Sequence, residues 1–301
     1  MNGKAKSFGM MSGMVLCWSV FYAVSKYLVD MTGSPFVAGF LIRCFALVFL
    51  SLQLLAEGFF RRLFRGRHVI ILVSIGIFGF LLDLFATPGY AGGSLSTGTA
   101  LLKTDVLMVN LVSVMLYREK LYASDWVGTF VMLLGVLLVL GIDFRHMQIN
   151  LTDIFFILSA ICVTANAFLI KRAQNTHGEN ADSISYYNNA VVLILFALSS
   201  CVSGDMDLHL LRGLGSKLVW LALLGGFAQT GIYFFYYRNL KTHEVWIVKL
   251  YLLLMPVVSC FIGVLFLNET LGLTKLLGIL IVLFGAGIIL LRSRINAHAA
   301  G

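Results

Sequence analysis

The chain contains ten apolar runs, each close to the length that a helix needs to cross a bilayer. A hydrocarbon layer is roughly 30 Å thick and a helix rises about 1.5 Å per residue, so about 20 apolar residues are enough. The runs lie at 8–29, 35–57, 69–87, 96–116, 123–141, 152–171, 183–203, 217–237, 244–267 and 272–291. Because lipid offers no hydrogen bonds and the runs lack period-two alternation, they favour helices over barrel strands.

The composition is that of a polytopic membrane protein. Hydrophobic residues make up 59% of the chain and charged residues 12%, whereas a soluble domain carries about 25% charged residues. All five cysteines fall inside apolar runs, which favours packed thiols over a disulfide framework. We therefore expect membrane lipid around the protein, and we predict no nucleic-acid partner despite the net charge of +8.

The distribution of Lys and Arg predicts the orientation. With ten spans, fourteen of the 22 basic residues fall in loops on the side of the two termini and four fall in loops on the other side. Cytoplasmic loops carry the excess of positive charge. We therefore predict an N-in, C-in protein of the cytoplasmic (inner) membrane.

The second half of the chain repeats the first. YREKLYASDWVGTFVMLLGVLLVL aligns with LNETLGLTKLLGILIVLFGAGIIL at an offset of 150 residues. The matched pairs include Glu119 and Glu269, Gly128 and Gly278, and Gly135 and Gly285. Because five spans per repeat is an odd number, the second copy must enter the membrane from the opposite face. We predict two inverted five-helix repeats, 1–145 and 146–301, in an all-α membrane fold.

Small residues and one proline mark positions of close packing and bending. Gly9 and Gly13 form a GxxxG pair, and the repeated Gly-x6-Gly positions suit helices in close contact. Pro256 lies inside the ninth span, where it frees a backbone carbonyl and bends the helix.

Six ionisable residues inside the spans are functional candidates, because a charge in hydrocarbon needs a partner or a water-filled surrounding. They are Lys26, Arg43, Asp83, Lys103, Asp105 and Lys249. Asp83 lies near the outer end of the third span and Lys103 lies about seven residues, or roughly 11 Å, from the outer end of the fourth, so a pair between them is sterically allowed. Lys103 and Asp105 are two residues apart and point about 200° away from each other on a helix, so they need separate partners.

Each of these residues also has a simpler interpretation. Lys249 and Lys26 are close enough to span ends for their stems to carry the ammonium to the membrane surface. Lys103 has three alternatives: a surface-reaching stem, an internal salt bridge and a solute contact. We expect Arg43 to form a structural pair with a carbonyl or a carboxylate.

Polar and aromatic side chains form two stripes at helical spacing. Trp18 and Tyr22 precede Lys26 at intervals of four, and Gln229 and Tyr233 repeat that spacing in the eighth span. Such a stripe binds an organic solute by stacking, cation–π contact and hydrogen bonds if it faces a cavity. If it faces other helices, it fills the core.

Signatures of catalysis are missing from the sequence. The six histidines fall in loops or at span ends, and no HExxH, P-loop or GxSxG pattern occurs. We therefore expect no enzymatic activity, no metal and no cofactor.

The chain resembles the EamA-like branch of the drug/metabolite transporter (DMT) superfamily. The resemblance lies in the five-plus-five duplication, Trp18, the Pro35-x7-Arg43 spacing and the acidic turn before each Gly-x6-Gly span. It implies a ten-helix transporter with a central cavity and alternating access, without a nucleotide-binding domain. This chain departs from the family pattern at Lys103 and Asp105, where small and apolar residues are usual.

We therefore predict a secondary transporter of a small polar metabolite. The predicted solute is anionic or zwitterionic, such as an amino acid or an organic acid derivative. A proton or ion gradient is the expected coupling partner. The predicted substrate-binding residues are Trp18, Tyr22, Asp83, Lys103, Asp105, Gln229, Tyr233 and Lys249. The alternatives are an exporter of drugs or organic amines with the same fold, and a membrane protein that does not transport.

Overall fold

A computed structural model describes residues 3–56, 68–92, 102–140, 153–205, 215–258, 261 and 272–299, and within them the side chains of 7–56, 68–85, 102–140, 154–205, 215–258, 261 and 272–289. Every regular element in this part of the chain is a helix. The helices are α1 Gly3–Thr32, α2 Pro35–Ala56, α3 Val69–Gly92, α4 Asp105–Tyr117, α5 Ala123–Val139, α6 Asp153–Asn175, α7 Ala181–Val202, α8 Ser216–Thr242, α9 Val245–Leu252 and α10 Leu273–Ala299. Each overlaps one predicted span, so the all-helical, ten-helix prediction is confirmed for the described residues.

Five of these helices are long and apolar enough to cross a membrane by length and composition: α1, α2, α6, α7 and α8. The described parts of α3, α4, α5, α9 and α10 are shorter apolar helices. The N-in, C-in orientation stays a prediction.

The chain forms two compact units that each draw on both predicted repeats. The first unit contains Met1–Asp83 and Ala165–His243, and the second contains Leu84–Thr164 and Glu244–Gly301. Spatial units therefore do not coincide with the sequence division at 145/146, which stays a prediction.

In the first unit, α2 packs against α1, α7 and α8, and α1 packs against α8. The contact between α2 and α8 is close, because a Cβ on Gly226 would lie 2.8 Å from the backbone nitrogen of Ala46. Gly13 accommodates the ring of Phe235, whereas Gly9 has open space around it. The predicted GxxxG pair therefore contributes one packing position, not two.

The start of α2 is tied to the end of α7 by one serine. Ser34 Oγ accepts hydrogen bonds from the backbone N–H groups of Phe36 at 3.2 Å and Val37 at 3.4 Å, and it donates to Asp205 Oδ2 at 2.6 Å. A serine in this position satisfies N–H groups that the first turn of a helix leaves without partners.

In the second unit, α5 and α10 pack antiparallel through the repeated glycines. Gly128 lies beside Gly285 and Gly135 beside Gly278, so each glycine of one repeat faces the non-equivalent glycine of the other. A Cβ on Gly135 would lie 2.6 Å from the backbone nitrogen of Val282. This reciprocal, antiparallel contact is the arrangement that an inverted pair of helices requires.

The fourth and ninth spans are both interrupted, at equivalent positions of the two repeats. Turns occupy Lys103–Thr104 before α4 and Leu253–Leu254 after α9, which are 150 residues apart. At the second turn the cause is Pro256, which has no N–H for the carbonyl of Leu252. The sequence predicted a bend at Pro256, and the ninth span is interrupted within one turn of that residue; the interruption at 103–104 was not predicted.

Candidate functional site

A buried arginine organises the polar interior of the first unit. Arg43 of α2 donates a hydrogen bond from Nη1 to the hydroxyl of Tyr233 on α8. Its Nη2 lies 3.5 Å from Asp83 Oδ2 on α3, where the Arg43 side chain is 10% exposed and the Asp83 side chain 35%. The carboxylate is therefore the accessible member of this pair.

Helix α7 contributes hydrogen bonds to both Arg43 and Tyr233. Asn189 donates from Nδ2 to the backbone carbonyl of Arg43 at 3.0 Å, and its Oδ1 accepts from the Tyr233 hydroxyl at 3.5 Å. Side chains from four helices thus form one network around Arg43, which agrees with the rule that buried charges and amides need hydrogen-bond partners. Gln229, one turn before Tyr233 on α8, also hydrogen-bonds to that tyrosine.

A second layer of amides surrounds Tyr237, one turn further along α8. Asn188 Nδ2 donates to the Tyr237 hydroxyl, and Gln174 Nε2 donates to the Tyr237 carbonyl at 2.9 Å. A Cβ on Gly79 would lie 2.8 Å from Asn188 Oδ1. Gly79 therefore leaves the space that the amide occupies.

The second unit contains a tighter ion pair between the two interrupted spans. Lys249 Nζ lies 2.9 Å from Asp105 Oδ2, with side chains 3% and 11% exposed. Asp105 is the first residue of α4, and Lys249 is in the last turn of α9. Both charges have the sign that the adjacent helix end favours, because a helix is partially positive at its N-terminus and negative at its C-terminus.

A third charge lies beside this pair. Lys103 is half-buried in the turn before α4, and its electrostatic neighbours are Asp105 and Lys249. Within the described part of the chain its ammonium has no hydrogen bond or salt bridge. Two cations therefore adjoin the carboxylate of Asp105, and these three described side chains together carry a formal charge of +1.

The chain matches a family of membrane transporters over nearly its whole length. Residues 6–141 and 150–291 each match the EamA-like transporter family. The chain belongs to the EamA-like transporter family. It is accordingly an integral membrane protein and a transporter of the DMT kind, and the family consists of transporters rather than enzymes.

A solved structure, described only as a crystal structure of a protein, has the same fold as this EamA-like transporter. It covers 97% of this chain and 99% of its own chain, with a TM-score of 0.78 and 18% sequence identity. Among curated proteins, none matches this chain. The match to the solved structure therefore concerns the fold alone.

The structure of this EamA-like transporter assigns partners to the predicted charges. Arg43 pairs with a carboxylate as expected, and the carboxylate is Asp83, for which the sequence had suggested Lys103. Lys249 is buried against Asp105, so the surface-reaching interpretation of Lys249 was wrong. Asp105 finds its partner on another helix, as its position two residues from Lys103 had predicted.

The two predicted stripes differ in their surroundings. Gln229 and Tyr233 are buried in the first unit. Trp18 is half-buried, and its ring meets Tyr236 edge-on at 5.1 Å between centroids. Tyr22 is 48% exposed and contacts Phe21, and Lys26 is exposed on the same helix. Solute binding by any of the eight predicted residues stays a prediction.

Sequence reasoning missed the amides of this site. Asn188 and Asn189 are adjacent in α7 and buried, as is Asn166 of α6, whose Nδ2 donates to the carbonyl of Ile75 at 2.7 Å. The signal was present, because an amide inside a predicted span needs a partner just as a charge does. Only charged residues inside the spans were taken as candidates, so these asparagines were missed. In the described residues no three His, Cys, Asp or Glu side chains are grouped so as to hold a metal ion.

Proposed function

We propose that this transporter moves a small anionic or zwitterionic metabolite, such as an amino acid or organic acid, across the cytoplasmic membrane by alternating access. The observation that carries the proposal is the pair of cations, Lys103 and Lys249, beside the carboxylate of Asp105, which gives these three described side chains one positive charge in excess. Excess positive charge in a weakly solvated interior is balanced best by an anion. Lys103, which is half-buried and has no salt bridge among the described residues, is the proposed first contact for the acidic group.

The interruptions of the fourth and ninth spans support alternating access. Discontinuous helices in transporters place helix ends and unpaired backbone groups near the solute, and they provide points at which a span bends. Here both interruptions adjoin the Lys103, Asp105 and Lys249 group. Separately from this group, Trp18, Tyr22, Gln229 and Tyr233 of the first unit stay proposed contacts for an organic solute, and Asp83 stays proposed for an ammonium or a coupling proton.

Counterflow in proteoliposomes tests the proposal. Labelled amino acids and organic anions are offered to the wild type, to Lys103→Gln and to Lys26→Gln, a control that removes an exposed lysine from α1. We expect Lys103→Gln to lower counterflow of the transported anion at least tenfold, the equivalent of about 1.4 kcal/mol. Lys26→Gln should retain the wild-type rate. Equal flux through the wild type and Lys103→Gln would remove Lys103 from the site.

One observation favours a second candidate, an exporter of drugs or organic amines. The Asp83 side chain is 35% exposed while its partner Arg43 is 10% exposed, so a cation reaches the carboxylate more easily than an anion reaches the guanidinium. A growth panel with lipophilic cations separates the two candidates. The exporter requires resistance that depends on Asp83, whereas the metabolite transporter requires none.

A further inference from the structure

The two interrupted spans meet at a single ion pair. Helices α4 and α9 pack against each other, and the first residue of one helix and the last turn of the other supply Asp105 and Lys249. The adjoining turns are equivalent in the two repeats, at 103–104 and 253–254. The ion pair therefore joins both points at which these spans leave helical geometry.

Backbone hydrogen bonds at the turns span three residues, unlike the four-residue bonds of a regular α-helix. The N–H of Val106 bonds to the carbonyl of Lys103, and the N–H groups of Leu253 and Leu254 bond three residues back to Leu250 and Tyr251. Only the second turn has a proline nearby, since Val106 stands where the second repeat has Pro256. At the first turn, Thr104 and Asp105 are residue types that favour the start of a helix.

Lys249 is occupied in this arrangement. Its side chain is 3% exposed and its ammonium lies 2.9 Å from the carboxylate of Asp105. An incoming carboxylate or phosphate reaches Lys249 only if Asp105 gives way, because the two anions compete for the same desolvated ammonium. Lys103, half-buried two residues before Asp105, offers the anion a first contact beside the pair.

We propose that Asp105 is an internal competitor of the substrate anion, a positioning residue that occupies Lys249 until the anion replaces it. Exchange of one carboxylate for another keeps the charge of Lys249 paired throughout. It also releases the contact between α4 and α9 beside the turns where both spans can bend. This inference rests on the proposed function, since it concerns the same anion.

Neutralising the competitor should tighten anion binding. Asp105→Asn keeps the size and one acceptor oxygen but removes the charge that competes with the anion for Lys249. In thermal-shift titrations of the detergent-purified protein, the probes are acetate, succinate and inorganic phosphate, with tetraethylammonium as the cationic control. We expect the half-maximal concentration of at least one anion to fall tenfold or more, with no change for tetraethylammonium. Asp105→Ser removes the same charge with a smaller side chain if Asn is not tolerated.

Two comparisons make the test specific. In the double variant Asp105→Asn/Lys249→Gln the tighter anion binding should disappear, because the Lys249 ammonium is no longer present. Asp182→Asn removes a different paired carboxylate, 3.0 Å from Arg238 Nη2, and should leave the anion titration unchanged. In counterflow, Asp105→Asn should lower both the KM and the maximal rate for the transported anion, since a tightly held anion leaves slowly. A titration like that of the wild type, or a gain that persists in the double variant, would overturn the proposal.

A measurement on the unaltered protein gives an independent result. Dicyclohexylcarbodiimide labels carboxyl groups in apolar surroundings, and mass spectrometry identifies the labelled residue. If the anion displaces Asp105, each effective anion should increase labelling of Asp105 while labelling of Asp182 stays constant; constant labelling of Asp105 would contradict displacement. The experiments distinguish failure of the proposed function from failure of this inference. Unchanged flux in Lys103→Gln contradicts the proposed function. An unchanged anion titration in Asp105→Asn, with flux still lost in Lys103→Gln, contradicts only the role of Asp105 as a competitor.

Discussion

Gly128 of α5 and Gly285 of α10 lie back to back. A Cβ on Gly285 would be 2.9 Å from the carbonyl oxygen of Gly128, and a Cβ on Gly128 would be 3.0 Å from the carbonyl oxygen of Gly285. Gly135 and Gly278 repeat the contact with the roles of the helices exchanged, at 2.8 Å in both directions. Four glycines at one sequence offset thus form a single helix contact with approximate two-fold symmetry.

This contact predicts a sharp dependence on position along the glycine motif. Gly135→Ala places a methyl group 2.6 Å from the backbone nitrogen of Val282, so the helices must separate. Overpacking of this kind costs about 1–3 kcal/mol. Equilibrium unfolding in mixed micelles should show that loss. Gly287→Ala on α10, where nothing lies within 4 Å of the new methyl group, is the matched control and should be neutral or stabilising. Equal effects of the two substitutions would contradict the helix contact.

The hydroxyl of Tyr233 supports Arg43 in the first unit. Tyr233→Phe leaves Arg43 Nη1 without its acceptor and deprives Asn189 Oδ1 of a donor. Leaving buried groups unpaired costs about 1–3 kcal/mol, and unfolding in mixed micelles should register it. Tyr27→Phe removes the hydroxyl of an exposed tyrosine on α1 and should change little. Stability of Tyr233→Phe equal to that of Tyr27→Phe would show that the Arg43 contact is dispensable.

The Ser34 side chain should contribute measurably to the stability of the folded protein. Ser34→Ala removes the acceptor for two N–H groups at the start of α2 and the hydrogen bond to Asp205. Loss of such a cap costs about 0.5–2 kcal/mol. The comparison is Ser25→Ala, because Ser25 Oγ is buried with no hydrogen-bond partner among the described residues. If thermal midpoints fall equally for both variants, the capping role is wrong.

His243, directly after α8, should make stability depend on pH. Burial, and then the positive charge of Lys171, lower the pKa of His243 below its ordinary value of 6.5. As the pH falls below about 6.5, the unfolded chain therefore binds the proton before the folded protein does. The stability that the neutral His243 side chain gives the folded protein is therefore fully present above about pH 6.5 and is lost as the pH falls below it. Thermal midpoints measured between about pH 7.5 and pH 5.5 should fall more steeply for the wild type than for His243→Gln. Equal slopes would contradict this role.

Several features follow from the sequence because they depend on local composition. The number of helices comes from the length of each apolar run, and the bend in the ninth span comes from the missing N–H of Pro256. Close helix packing at the repeated glycines could also be predicted, since small residues one heptad apart favour it. The interruption at Lys103–Thr104 was not foreseen, because no proline marks it.

The pairing of charges was decided only by the tertiary structure. Spacing along the chain shows how deep Asp83, Lys103 and Lys249 lie in their spans, but it does not show how each helix is rotated or which helix it meets. Arg43 and Asp83 are 40 residues apart in sequence, and Asp105 and Lys249 are 144 apart. A buried charge takes the partner that the packing of helices brings within reach, and this packing is set by steric fit over whole helix surfaces. The sequence alone therefore determined which charged residues need partners, and the fold determined which partners they have.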